Sequence, residues 1–298
     1  MTRENLMMFK HIGLGLALAA ALIAPPLAHA GATVTRDRFS DEIVGEGPDL
    51  VFIPGLASSR DTWKATAERL KARYRLHLIQ VAGFAGESAR GNAAGEVVVP
   101  TAEAIDAYLV EQHLTPATVI GHSLGGTMTL YLCEHHPEHL KKAMLVDALP
   151  FFVTVMMGPN ATVDSVKPIA DHVRASKQQM SDPQHDQMMR SMATAPSDLA
   201  MIKGWSDASD KGVVANALAD DMTLDLRPRL AKLVTPVVLL HPDYAALGSP
   251  PGTSDQMYKA AFAAAPTVKV VEIAPSLHFI MLDQPAKFDA ALDSFLAN

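Results

Sequence analysis

The chain has 298 residues, 49% of them hydrophobic and 19% charged, with a formal net charge of −7. That composition excludes disordered, collagen-like and disulfide-dense classes, and the acidic balance, with no long Lys/Arg run, argues against a nucleic-acid partner. The one cysteine, Cys133, has no intrachain partner and lies on an apolar helix pattern, so we expect it to pack rather than react.

In chain order, the first feature is an export signal. Arg3 and Lys10 precede the apolar run Ile12 to Ala24, Pro25 and Pro26 end it, and Ala28-His29-Ala30 has the A-x-A form of a cleavage site. The run is shorter than the ~20 apolar residues of a spanning helix, so we expect cleavage over 1–30, no stable membrane anchor, and a periplasmic or secreted mature chain. Short apolar runs then alternate with helical patterns, as in a mostly parallel sheet covered by helices. Strands are predicted at Asp49 to Pro54, Leu76 to Val81, Thr118 to His122 and Ala143 to Asp147, and helices at Asp61 to Ala72, Thr101 to Gln112 and Leu124 to His136. From about Pro150 to Arg227 only helical patterns appear, with eight of the fifteen Met residues. Alternation resumes with a strand at Val234 to His241, a helix at Gln256 to Ala264, a strand at Val268 to Ile273 and a helix at Pro285 to Leu296. The reading is an α/β core in two parts, 31–149 and 228–298, interrupted by a helical insertion at 150–227.

The segment Gly121-His122-Ser123-Leu124-Gly125-Gly126 carries the chemistry. It matches G-x-S-x-G with a β-branched strand before it and a helix after it. Such a turn projects the Ser hydroxyl above the sheet and demands small residues two positions either side, here Gly121 and Gly125. The N–H of Leu124, opening the helix, then faces a developing oxyanion.

This segment resembles the nucleophile elbow of the α/β-hydrolase superfamily, and the resemblance runs from about Asp49 to Leu296. It implies an eight-stranded, mostly parallel sheet flanked by helices, with the 150–227 insertion as a helical cap after the sixth strand. It also implies a late His as general base, which His278 satisfies in Ser276-Leu277-His278-Phe279 ahead of Gln284-Pro285. The acid is expected after the seventh strand, at Asp243, although many relatives carry it one or two residues on, where this chain has Tyr244 and Ala245. Asp147, ending the sixth strand, is the alternative. The second oxyanion donor is expected at the N–H of Leu56, although Pro54-Gly55 stands where relatives often have His-Gly.

Together these residues point to acyl transfer, with Ser123 as nucleophile and His278 as base, and need no cofactor or metal. His135, His136 and His139 match no zinc spacing, and a helix end before Pro137 explains them. Phe151, Phe152, Met156 and Met157 are expected to line the pocket for a small-molecule substrate, and a largely apolar carboxylic ester or lactone fits a Met-rich wall. Amide or carbon–carbon bond hydrolysis and cofactor-free perhydrolysis use the same constellation, and a non-catalytic binding protein is the alternative from another class.

Overall fold

The computed structural model describes residues 33–176 and 188–297; the expected export signal, 1–30, lies outside them. Eight strands form one sheet in the order β1-β2-β4-β3-β5-β6-β7-β8. They are β1 (Thr33–Thr35), β2 (Phe39–Val44), β3 (Asp49–Ile53), β4 (Arg75–Val81), β5 (Ala117–His122), β6 (Leu140–Val146), β7 (Val237–Pro242) and β8 (Val268–Ile273). From β4 through β8 every neighbouring pair is parallel, whereas β1 and β2 join antiparallel at one edge. The sequence reading lacks these two, because Thr33–Thr35 is exposed and Phe39–Val44 (FSDEIV) is too polar to read as a buried run.

The central strands are apolar on both sides because both faces are covered. Ile53, Val119, Leu145 and Leu239 point into one core. Their immediate neighbours Phe52, Ile120, Met144 and Leu240 point into the other, as the two-residue period of a strand requires. Helices α1 (Lys64–Leu70), α2 (Val98–Glu111) and α3 (Leu124–His135) connect the first strands. Between β6 and β7 lie α4 (Thr154–Met157), α5 (Val163–Ser176), α6 (Pro196–Ala208) and α7 (Lys211–Thr223), with no strand among the described residues. Helices α8 (Thr253–Ala261), α9 (Ile280–Asp283) and α10 (Pro285–Ala297) complete the chain. No helix among the described residues is long and apolar enough to cross a membrane.

Part of the insertion has its own small core. Phe151, Val153, Val166, Ala170 and Met222 are buried together, and α5 packs along α7. Asp210 caps α7 by accepting from the N–H groups of Gly212 and Val213. Cys133 is buried, as expected, and its surroundings push its thiol up to about 12, chiefly through burial.

Candidate active site

Four adjacent parallel strands each deliver one polar side chain at their C-terminal ends: Ser123 after β5, Asp147 after β6, Tyr244 after β7 and His278 after β8. This is the end at which open α/β sheets bind ligands.

Ser123 sits at φ 51°, ψ −122°, a left-handed conformation that a non-glycine residue adopts only when its surroundings enforce it. Its N–H is held by the Val146 carbonyl (2.9 Å), and its carbonyl accepts from Thr127 N–H (2.9 Å). The turn closes because its neighbours lack side chains. A Cβ on Gly121 would strike the Gly125 carbonyl and Thr129 Oγ1, and one on Gly125 would strike the Ile53 and Pro54 carbonyls. Gly55 lies so close that a Cβ there would stand 3.0 Å from Ser123 Cβ. The loop after β3 is therefore packed directly on the Ser123 turn, with Leu56 next in the chain.

His278 Nδ1–H donates to Asp147 Oδ2 at 2.5 Å. The loop bearing His278 is tied down along its length: His278 N–H donates to the Ser191 carbonyl, Phe279 N–H to the Met192 carbonyl, and Leu277 N–H to Asp283. Asp283 also accepts from the N–H and hydroxyl of Thr194. His122, the residue before Ser123, is fully buried with its ring 4.6 Å from that of His278, and its Nε2–H donates to the His278 carbonyl at 3.1 Å. Burial, reinforced by the neighbouring His278, lowers His122 to about 3, so it is a neutral strut between the two loops.

The structure corrects the expected pairing of His278. Its partner is Asp147, and Asp243 is elsewhere: Asp243 Oδ1 accepts the N–H groups of Ser276 (3.0 Å) and Ala245 (3.3 Å), stitching the loop after β7 to the loop after β8. The physical reason is the backbone just after β7. Tyr244 turns left-handed (φ 53°), and it is the Tyr244 hydroxyl that reaches Asp147 Oδ2, at 2.7 Å. Asp147 has its own left-handed turn (φ 50°), anchored by its N–H on the Leu240 carbonyl.

Asp147 also accepts from Tyr258 of α8 through Oδ1. Burial alone would raise its carboxyl, but the charge of His278 and the hydrogen bonds from His278, Tyr258 and Tyr244 outweigh it and hold the group below the usual carboxylate range. Both phenols are pushed well above their usual range, by burial first and then by the Asp147 charge. Tyr258 in turn stacks on the buried ring of His241, centroids 4.6 Å apart and 14° from parallel. Sequence reasoning missed this pair of phenols. Tyr244 at the place expected for an acid was a visible signal, whereas nothing in the sequence around Tyr258 marks it.

The expected pocket residues separate. Phe151 is fully buried in the insertion's core with the Arg227 guanidinium 4.5 Å over its ring, so it does not line an open site. Phe152 packs on the same cluster. Met156 and Met157 lie on α4 and are 63% and 43% exposed. Leu124 opens α3 and is buried, and Leu56 is half-buried.

Comparison with known proteins agrees with this architecture. A crystal structure of a hydrolase from Pseudomonas aeruginosa superposes with a TM-score of 0.74 at 17% identity, covering 91% of this chain and 100% of the other. An esterase from Exiguobacterium antarcticum gives 0.71 at 21% identity, covering 90% and 100%. An enol-lactonase from Burkholderia xenovorans gives 0.69 at 18%, covering 87% and 96%. In sequence, the chain is similar to the pimeloyl-[acyl-carrier protein] methyl ester esterase of Vibrio vulnificus, 33% identical over 108 residues, 36% of this chain and only 40% of that one. The enzyme of the same name from Nitrosomonas europaea is 24% identical over 262 residues, 85% of this chain and 97% of that one. The family model for the alpha/beta hydrolase family matches residues 50–291. The chain belongs to the alpha/beta hydrolase family.

Proposed function

We propose that the protein is a serine hydrolase acting on carboxylic esters, with Ser123 as nucleophile, His278 as general base and Asp147 as the acid. The observation that carries this reading is the 2.5 Å bond from His278 Nδ1 to a buried Asp147, across the sheet end that holds Ser123 in its left-handed turn.

In this mechanism Ser123 Oγ attacks the ester carbonyl carbon as His278 Nε2 takes its proton. The charge that develops on the carbonyl oxygen faces the N–H groups of Leu124 and Leu56, each worth about 3–4 kcal/mol in such sites. Asp147 fixes the tautomer that leaves Nε2 free and stabilises the imidazolium that forms. His278 then protonates the departing alkoxide, and water repeats the sequence on the acyl-enzyme. The names of the similar proteins, methyl ester esterases, an esterase and an enol-lactonase, support esters or lactones over other acyl donors. The Met-rich, weakly charged insertion favours a small to medium, largely apolar substrate. Cleavage after Ala30 and export of the mature chain belong to the same reading.

The test needs no knowledge of the substrate. A fluorophosphonate should label the parent protein once by intact mass and leave Ser123→Ala unmodified. A folded parent that stays unlabelled while hydrolysing no ester or lactone of a broad panel would overturn the proposal.

A further inference from the structure

A second cluster of chemically capable side chains lies at the opposite end of α3 from Ser123, about 18 Å away at 1.5 Å per residue over the helix's twelve residues. Asp106 on α2, His136 at the C-cap of α3 and His139 just beyond Pro137 each offer one ligand atom, and these atoms all lie within 4.8 Å of one another. Asp106 Oδ1 is 2.8 Å from His139 Nδ1, and Asp106 Oδ2 is 3.6 Å from His136 Nδ1. The two imidazoles are parallel to within 2° with centroids 5.8 Å apart, so both present their Nδ1 edges to the same carboxylate.

The surroundings are those that orient a metal ligand. His136 Nε2 lies 3.1 Å from both oxygens of Glu103, one turn before Asp106 on α2. Glu103 is itself held by the Tyr131 hydroxyl at 2.7 Å. Donating Nε2–H to a fixed carboxylate leaves the Nδ1 lone pair as the free donor and raises its basicity, which is what a carboxylate behind a ligating histidine does. His136 and His139 are 24% and 27% exposed, enough for ions and water to reach them. Tetrahedral zinc, with bonds of 2.0–2.1 Å, needs its ligand atoms about 3.4 Å apart. The carboxylate–imidazole separations of 2.8 and 3.6 Å already bracket that spacing. Two imidazole nitrogens and one carboxylate oxygen suit a borderline first-row cation and not Mg²⁺ or Ca²⁺, which demand more oxygen ligands.

We propose that Asp106, His136 and His139 bind one divalent transition-metal ion of the zinc class, with water completing its coordination, and that Glu103 orients His136 for it. The ion would clip α2 to the C-terminal end of α3, the helix that begins at the nucleophile turn. Its role is structural, since it lies far from the reacting atoms.

The experiment uses chelator-treated, full-length protein titrated with Zn²⁺ against a chromogenic competitor, with thermal unfolding followed in parallel and Co²⁺ absorption as a direct view of the ligands. The parent should bind one equivalent and gain thermal stability from Zn²⁺ but not from Mg²⁺. His136→Ala and His139→Ala should each weaken that site at least tenfold and abolish the stabilisation. Glu103→Gln, which keeps the fold and the three ligands, should weaken it 10–100-fold. Ester turnover should be unchanged in all three. Two results would overturn the proposal: no stoichiometric Zn²⁺ binding by the parent, or equal binding by the parent and His139→Ala, which would make the cluster a set of ordinary ion pairs.

Discussion

Replacing Asp147 by Asn changes one atom and isolates the acid. Oδ1 of Asp147 takes the Tyr258 hydroxyl, and Oδ2 takes both Tyr244 and His278. An Asn that keeps its oxygen toward Tyr258 turns its NH₂ toward His278 Nδ1. The imidazole must then accept at Nδ1 and carry its proton on Nε2, where a base for Ser123 has to be bare. Two losses add. The charge interaction between carboxylate and imidazolium, about 4 kcal/mol at 4 Å and an effective dielectric of 20, disappears. At 1.36 kcal/mol per decade that alone is about a thousandfold in turnover. The wrong tautomer brings the expected loss to about 10⁴-fold. Asp243→Asn is the matched control, because an amide oxygen still accepts the Ser276 and Ala245 N–H groups. We expect it to retain activity within about threefold, the scale of one modest neutral hydrogen bond. The assay is kcat/KM on a p-nitrophenyl ester of short chain length, with circular dichroism to establish folding. Comparable losses in both variants, or a folded Asp147→Asn of near-parent activity, would refute the assignment of the acid.

Three further outcomes follow from the geometry. Tyr258→Phe leaves Asp147 Oδ1 buried without its donor and should cost about 1–3 kcal/mol of stability in chemical denaturation. Glu134, whose carboxyl oxygens have no hydrogen-bond partner among the described residues, is pushed up to about 7 by burial, which outweighs Arg229. The folded chain therefore holds a proton that the unfolded chain releases near 4.5; this contribution to stability is complete below that pH and is lost as pH rises through 7. Glu134→Gln should raise the unfolding midpoint by roughly 2–4 °C at pH 8, corresponding to about 1 kcal/mol, and change it little at pH 5. Gly121→Ala forces a methyl against the Gly125 carbonyl and Thr129 Oγ1, and should cost about 3 kcal/mol or more, read as loss of soluble protein or a lowered denaturation midpoint.

What the sequence determined by itself is what depends on neighbours in the chain. The strands β3–β7 were legible because burial writes largely apolar runs, and β8 because its VKVVEI run is β-branched even at the sheet edge, while the mixed run of β2 hid a strand that lies between β1 and β4. The turn at Ser123 was legible because its G-x-S-x-G spacing is local, although the clashes that enforce it are only partly so: a Cβ on Gly121 meets Gly125 and Thr129, one on Gly125 the distant Ile53 and Pro54 carbonyls. His278 was legible from its order and its Gln-Pro helix start. The pairing of His278 was not. Asp147 and Asp243 both lie just beyond parallel strand ends, and sequence position favoured Asp243, the wrong one for this pairing. Two left-handed residues decide between them, Asp147 turning its carboxylate inward and Tyr244 spending Asp243 on the backbone of the neighbouring loop. The same holds for Tyr258, brought in from α8, and for Asp106, set 30 residues before His136 and beside it only because α2 packs on α3. Short-range sterics can be read along a chain. A hydrogen bond between residues 131 positions apart exists only once strands, loops and helices have closed around it.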